Sequence, residues 1–163
     1  MKKWLSLAVC VALALGLFSA VNASGRLDNI INASDVEQAT GLKGLRQVPR
    51  AKPVDGITEN KFLTGDINFV SSNNQPVIEV QFRPSFAFEQ FKGDSGFFKT
   101  SVPGLGDEAY TGPSFDPQTT VSFLKGRYYV AVATHIDPKD KSRTVLPIEK
   151  VIAVAKTIAS RMQ

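Results

Sequence analysis

Residues 128–136, YYVAVATHI, run for nine positions without a charge unless His135 is protonated. Such a run predicts a central β-strand covered on both faces, with Val130 and Val132 toward one layer and Ala131 and Ala133 toward another. The two alanines are small enough to let another group approach closely. Upstream, Val121 and Phe123 lead into a turn at Lys125-Gly126, so residues 119–136 read as a hairpin. A sheet with a buried central strand needs apolar material on both sides, and the rest of the chain must supply it.

The other elements follow from local patterns. Ser34 as N-cap, Glu37 three residues later and Gly41 as terminator predict a short first helix. Leu42 to Pro49 reads as a strand ended by Pro49, and residues 50–60, with Pro53 and Gly56, as a loop. Ile67 and Phe69 alternate with Asp66 and Asn68, and Ile78, Val80 and Phe82 alternate with Glu79, Gln81 and Arg83. The turn at residues 71–75, SSNNQ, makes these two runs an antiparallel hairpin with one apolar face. Pro84 closes it. A short helix is expected from Ser85 to about Lys92, stopped by residues 93–96, GDSG. Residues 137–143 read as a loop. From Pro147 to Met162, Ile148, Val151, Ile152, Ala155, Ile158, Ala159 and Met162 recur at helical spacing, with Glu149 near the positive end of the dipole and Arg161 near the negative end. Burying that stripe would contribute on the order of 1.5–3 kcal/mol per large side chain. There is no internal repeat. The fold class expected is α+β, an antiparallel β-sheet packed between helices, in one domain spanning residues 24–163.

The amino terminus reads as export machinery. Lys2 and Lys3, an apolar run from Leu5 to Phe18 and the small-residue exit at residues 21–23, VNA, match a signal peptide at residues 1–23. The apolar run is too short and wrongly flanked for a stable membrane span. Cleavage after Ala23 is expected; Ala20 also satisfies the small-residue requirement. Cys10, the single cysteine, lies within the signal, so the mature chain holds no disulfide and depends on its core. Losing Lys2 and Lys3 lowers the basic count from 19 to 17 against 15 acids, and the net charge from +4 to +2. The densest basic run, Lys139 to Arg143, is interrupted by Asp140, so no nucleic acid partner is expected. A periplasmic or secreted location follows, with an unknown envelope protein or a small ligand as partner.

Candidate chemistry is sparse. His135 is the only histidine, and a nucleophile needs a base beside it; Tyr129 shares its face but lies six residues away. Zinc needs three or four His, Cys or carboxylate ligands, so neither a metal nor another cofactor is expected. Asp107 and Glu108, in the run VPGLGDEAYTGP at residues 102–113, could serve as paired carboxylates. Neighbours in a strand point to opposite faces, however, which favours a turn shaped by Pro103, Gly104 and Gly106 that launches a strand, with Ala109 in a crowded position and Tyr110 packed. Gly104-Leu105-Gly106 opens no long helix and belongs to no βαβ unit, so it is not a dinucleotide loop. Phe86, Phe88, Phe91, Phe97 and Phe98 exceed what one side of a short helix can bury. An exposed subset would mark a ligand groove or partner surface. Phe86, Phe88, Phe91, Asp107, Glu108 and His135 are therefore the candidate surface residues.

Four runs, SDVEQATGL at 34–42, GDINF at 65–69, VPGLGDEAY at 102–110 and FLKG at 123–126, resemble in order those of small exported bacterial proteins of uncharacterised function. The plan also resembles the PsbP-like class. The resemblance implies an α/β/α sandwich around an antiparallel sheet and an accessory or interaction role, and it carries over no catalytic residue. The expected function is a non-catalytic binding or accessory protein of the bacterial cell envelope. The rival expectations are an envelope hydrolase using Asp107 or Glu108 and a structural component of an envelope assembly.

Overall fold

The computed structural model describes residues 29–49, 65–93, 97–113 and 119–162. The predicted signal peptide, the loop at 50–60 and most of the GDSG stop lie outside these residues. Among them the chain mixes helix and strand: α1 (Ala33–Thr40), β1 (Arg46–Pro49), β2 (Gly65–Val70), β3 (Pro76–Pro84), α2 (Phe86–Lys92), β4 (Thr100–Ser101), β5 (Glu108–Pro113), β6 (Thr119–Lys125), β7 (Tyr128–Thr134), β8 (Ile136–Asp137), β9 (Asp140–Thr144) and α3 (Ile148–Arg161). Seven strands form one antiparallel sheet in the order β1-β2-β3-β7-β6-β5-β4. Residues 128–134 of the uncharged run are thus the middle strand, paired with β3 on one side and β6 on the other, while Ile136 belongs to the separate β8–β9 sheet.

Alternation along β7 divides the core. Val130 and Val132 join Ile78, Val80, Phe82, Val121 and Phe123 in the main cluster, together with Val36 of α1 and Val151, Val154, Ala155 and Ile158 of α3. Tyr129 and Ala131 alternate with them and join a second cluster around Phe88 of α2. Ala133 is buried as well. Thr134 ties the far end of β7: its Oγ1 donates to the Val77 carbonyl at 3.0 Å and accepts from the Leu146 N–H at 3.2 Å, fixing the chain just before α3.

Several expectations are corrected. The first helix is capped by Asn32, not Ser34. Asn32 Oδ1 accepts from the Asp35 N–H at 3.1 Å and Asp35 Oδ2 accepts from the Asn32 N–H at 3.0 Å, a reciprocal box that begins two residues earlier. Glu37 instead accepts from the Leu45 N–H at 2.7 Å, holding the chain that leads to β1. Gly41 does end the helix, at φ 81°. The turn between β6 and β7 is formed by Gly126 and Arg127, with Lys125 still in the strand. The loop expected at 137–143 is a small hairpin, β8–β9, braced by Arg143 against Asp137 and Asp140. In α3 the buried stripe includes Val154, while Ile148, Ile152 and Ala159 are only partly buried against the core.

Candidate functional site

α2 follows directly on β3, whose last residue, Pro84, pairs with Tyr128. The helix seats Phe88 fully buried against β7. Its ring meets Tyr129 edge-on at 5.6 Å and tilts against Phe98 at 4.8 Å and Tyr110 at 6.3 Å. Phe91 touches Tyr129 at 5.8 Å and Phe97 at 5.0 Å, and Phe98 stacks on Tyr110 at 5.0 Å with an interplanar angle of 5°. Six rings from α2, β5, β7 and the segment before β4 therefore form one aromatic nest. Phe86 lies outside it, 61% exposed at the start of the helix.

Two polar groups enter the nest. The Tyr129 hydroxyl shares a buried hydrogen bond with Ser122 Oγ at 3.2 Å. Burial pushes its ionisation upward, opposed by the Ser122 hydrogen bond and the Arg83 charge, so it is a neutral phenol at ordinary pH. At the rim, Glu108 Oε1 accepts from Lys92 Nζ at 2.6 Å and from Tyr110 Oη at 2.5 Å. Lys92, and then Tyr110, hold the Glu108 carboxyl below the usual carboxylate range. The same contact raises the Lys92 ammonium and the Tyr110 phenol above their ordinary values.

Asp107 and Glu108 diverge. Asp107 Oδ2 accepts from the Gly126 N–H at 2.6 Å, and the Asp107 N–H donates to the Leu124 carbonyl at 2.7 Å, so both ends of this residue grip the β6–β7 turn. Gly106, at φ 62°, lies so close to β6 that a Cβ would stand 2.3 Å from the Leu124 carbonyl oxygen. Leu105 is buried in the main core. Ala109 is buried and Tyr110 is stacked, as their sizes suggested. The run at 102–113 is a lock between β5 and the central hairpin.

His135 stands just beyond β7. Its N–H donates to the Val77 carbonyl at 3.4 Å and its carbonyl accepts from the Val145 N–H at 2.8 Å. Tyr129 is six residues back along an extended chain, about 20 Å at the rise of a strand, so the two cannot cooperate. The structure brings together Phe88, Phe91 and Glu108, and leaves Phe86, Asp107 and His135 outside that constellation. Sequence reasoning missed Lys92 and Ser122. It also missed Glu79, 8% exposed, whose Oε1 accepts from Gln81 Nε2 at 2.9 Å. Ser122 pairs with Ala131, two residues from Tyr129 on the same face, and a serine between Val121 and Phe123 was the available signal for it.

Among the described residues no three His, Cys, Asp or Glu side chains are grouped to hold a metal ion, and no helix is long and apolar enough to cross a membrane. Comparison with known protein families, curated proteins and solved structures finds no match for this chain.

Proposed function

We propose that this chain is an exported, non-catalytic binding or accessory protein of the bacterial cell envelope, and that its sheet lies between helical layers as an α/β/α sandwich of the PsbP-like kind. The observation that carries the functional reading is the commitment of both candidate carboxylates to fold contacts: Asp107 to the Gly126 amide, Glu108 to Lys92 and Tyr110. A general acid needs a carboxyl held protonated near neutral pH. Glu108 is shifted the opposite way, which disfavours the hydrolase reading. At the start of α2, outside the nest, the Phe86 ring is exposed, the kind of anchor around which interfaces are built. The layered reading is supported by the main cluster with α1 and α3 and the second cluster with α2, which draw on alternate residues of β7.

Export is tested by the mass of the chain recovered from the periplasm or medium, expected to begin at Ser24. The binding reading predicts that a partner or ligand captured from envelope extract, once identified and titrated, binds Phe86→Ser at least tenfold more weakly, as loss of a central aromatic anchor does. Substrate turnover abolished by Glu108→Gln in a correctly folded protein would sink it and restore the hydrolase.

A further inference from the structure

α2 is seven residues long, and neither end has a side-chain cap: Ser85 makes no capping bond and Gly93 stays in the right-handed region. A helix of that length has no stability of its own in water, so its order comes from what it touches. Those contacts lie on one side and at the two ends: Phe88 and Phe91 sit among the rings of the nest with Ala87 packed against it, the Ser85 N–H donates to the Arg127 carbonyl at 2.9 Å, and Lys92 reaches Glu108 at 2.6 Å. Phe86, Glu89, Gln90 and Lys92 are exposed. By contrast α3 runs fourteen residues and buries four side chains in the main cluster. Because the nest is a separate cluster, α2 can leave while the core under α1 and α3 stays packed.

From this geometry we infer that α2 is a lid, hinged at Ser85 and Gly93 and latched by the Lys92–Glu108–Tyr110 contact, which opens on the otherwise folded sheet. Opening lifts Phe88 and Phe91 out and uncovers the rings of Tyr129, Phe98 and Tyr110, with the Ser122–Tyr129 hydroxyl pair at their edge. A molecule that binds those rings meets them only in the open fraction, so its apparent affinity is scaled by that fraction. The inference concerns the motion of the protein alone and survives if the accessory-protein reading fails.

Native-state hydrogen exchange on the full chain at neutral pH tests it. The amides of Gln90 to Gly93 are expected to exchange faster than those of β7 and α3, with little dependence on low concentrations of denaturant. Glu108→Gln and, from the other end of the latch, Lys92→Met are each expected to speed only the α2 amides, by about two- to fivefold, the scale of a surface ion pair. Phe88→Leu should speed them further while β7 stays protected. Exchange of α2 and β7 at one rate with one denaturant dependence would overturn the lid. An unchanged α2 in both latch variants, or acceleration of every amide alike, would overturn the latch and with it the inference.

Discussion

A methyl group added at position 106 would meet the Leu124 carbonyl oxygen at 2.3 Å, on a backbone already at φ 62°; at position 104, with φ 73°, it would meet nothing within 4 Å. The two glycines of one turn thus separate two costs. Gly104→Ala carries only the left-handed penalty, about 1 kcal/mol, whereas Gly106→Ala adds a clash with the backbone of β6, for about 2–3 kcal/mol in total. Urea denaturation of the two variants measures the difference, and equal losses would contradict the lock described between β5 and β6. The turn itself was legible, since glycines at that spacing signal positive φ. Its partners were not: Leu124 and Gly126 lie 18 and 19 residues away from Gly106 and Asp107, and no local spacing reports such a contact. Glu79 was illegible for a related reason. Alternation along β3 says which face the carboxylate takes, and only the packed molecule says that this face is covered there.

Among the elements, α1 shows how two overlapping patterns compete. Ser34 with Glu37 and Asn32 with Asp35 both fit the spacing of a capping box, and both place an acid in the first turn. The structure resolves them through Glu37, whose carboxylate is drawn to the Leu45 amide and so is absent from the cap. Asn32→Ala should therefore cost about 1 kcal/mol and Ser34→Ala close to nothing, read as thermal midpoints of the two variants. The apolar stripe of α3 was legible from its period, the β2–β3 hairpin from alternation around a polar turn, and the middle strand from an unbroken uncharged run. β8–β9 was not, because residues 140–144, DKSRT, carry no apolar alternation; turn hydrogen bonds that Asp137 accepts from the Lys139 N–H and Asp140 from the Ser142 N–H hold that hairpin instead.

Across the whole molecule, Arg161 at the end of α3 grips Asp35 at the start of α1 with its two terminal guanidinium nitrogens, Nη1 and Nη2, each at 2.6 Å, and Nη1 also donates to the Ile30 carbonyl at 3.2 Å. The Arg161 hydrogen bond is the main cause that depresses the Asp35 carboxyl below its ordinary range. A carboxyl with a lowered folded-state pKa contributes stability that is present above the unfolded value, about 3.9, and is lost as pH falls through the folded value. Arg161 is 39% exposed on its side chain, so solvent screens the pair and its worth is about 1 kcal/mol. Asp35→Asn should be less stable than the parent by that amount at pH 7, and the gap should close as the solution is acidified below about pH 4. A gap independent of pH would mean that the clasp does not act through charge. The α+β class was legible from the sequence of periods. This closure was not, since it joins residues 126 positions apart.

The same clasp gives the described chain the form of a ring, because its first and last helices stand side by side. A ring has no privileged point of entry. Joined by a short linker across α3 and α1 and reopened within the Ser71–Gln75 turn, whose Ser72, Asn73 and Asn74 are exposed, a circularly permuted chain would retain every strand pairing of the sheet in the same order.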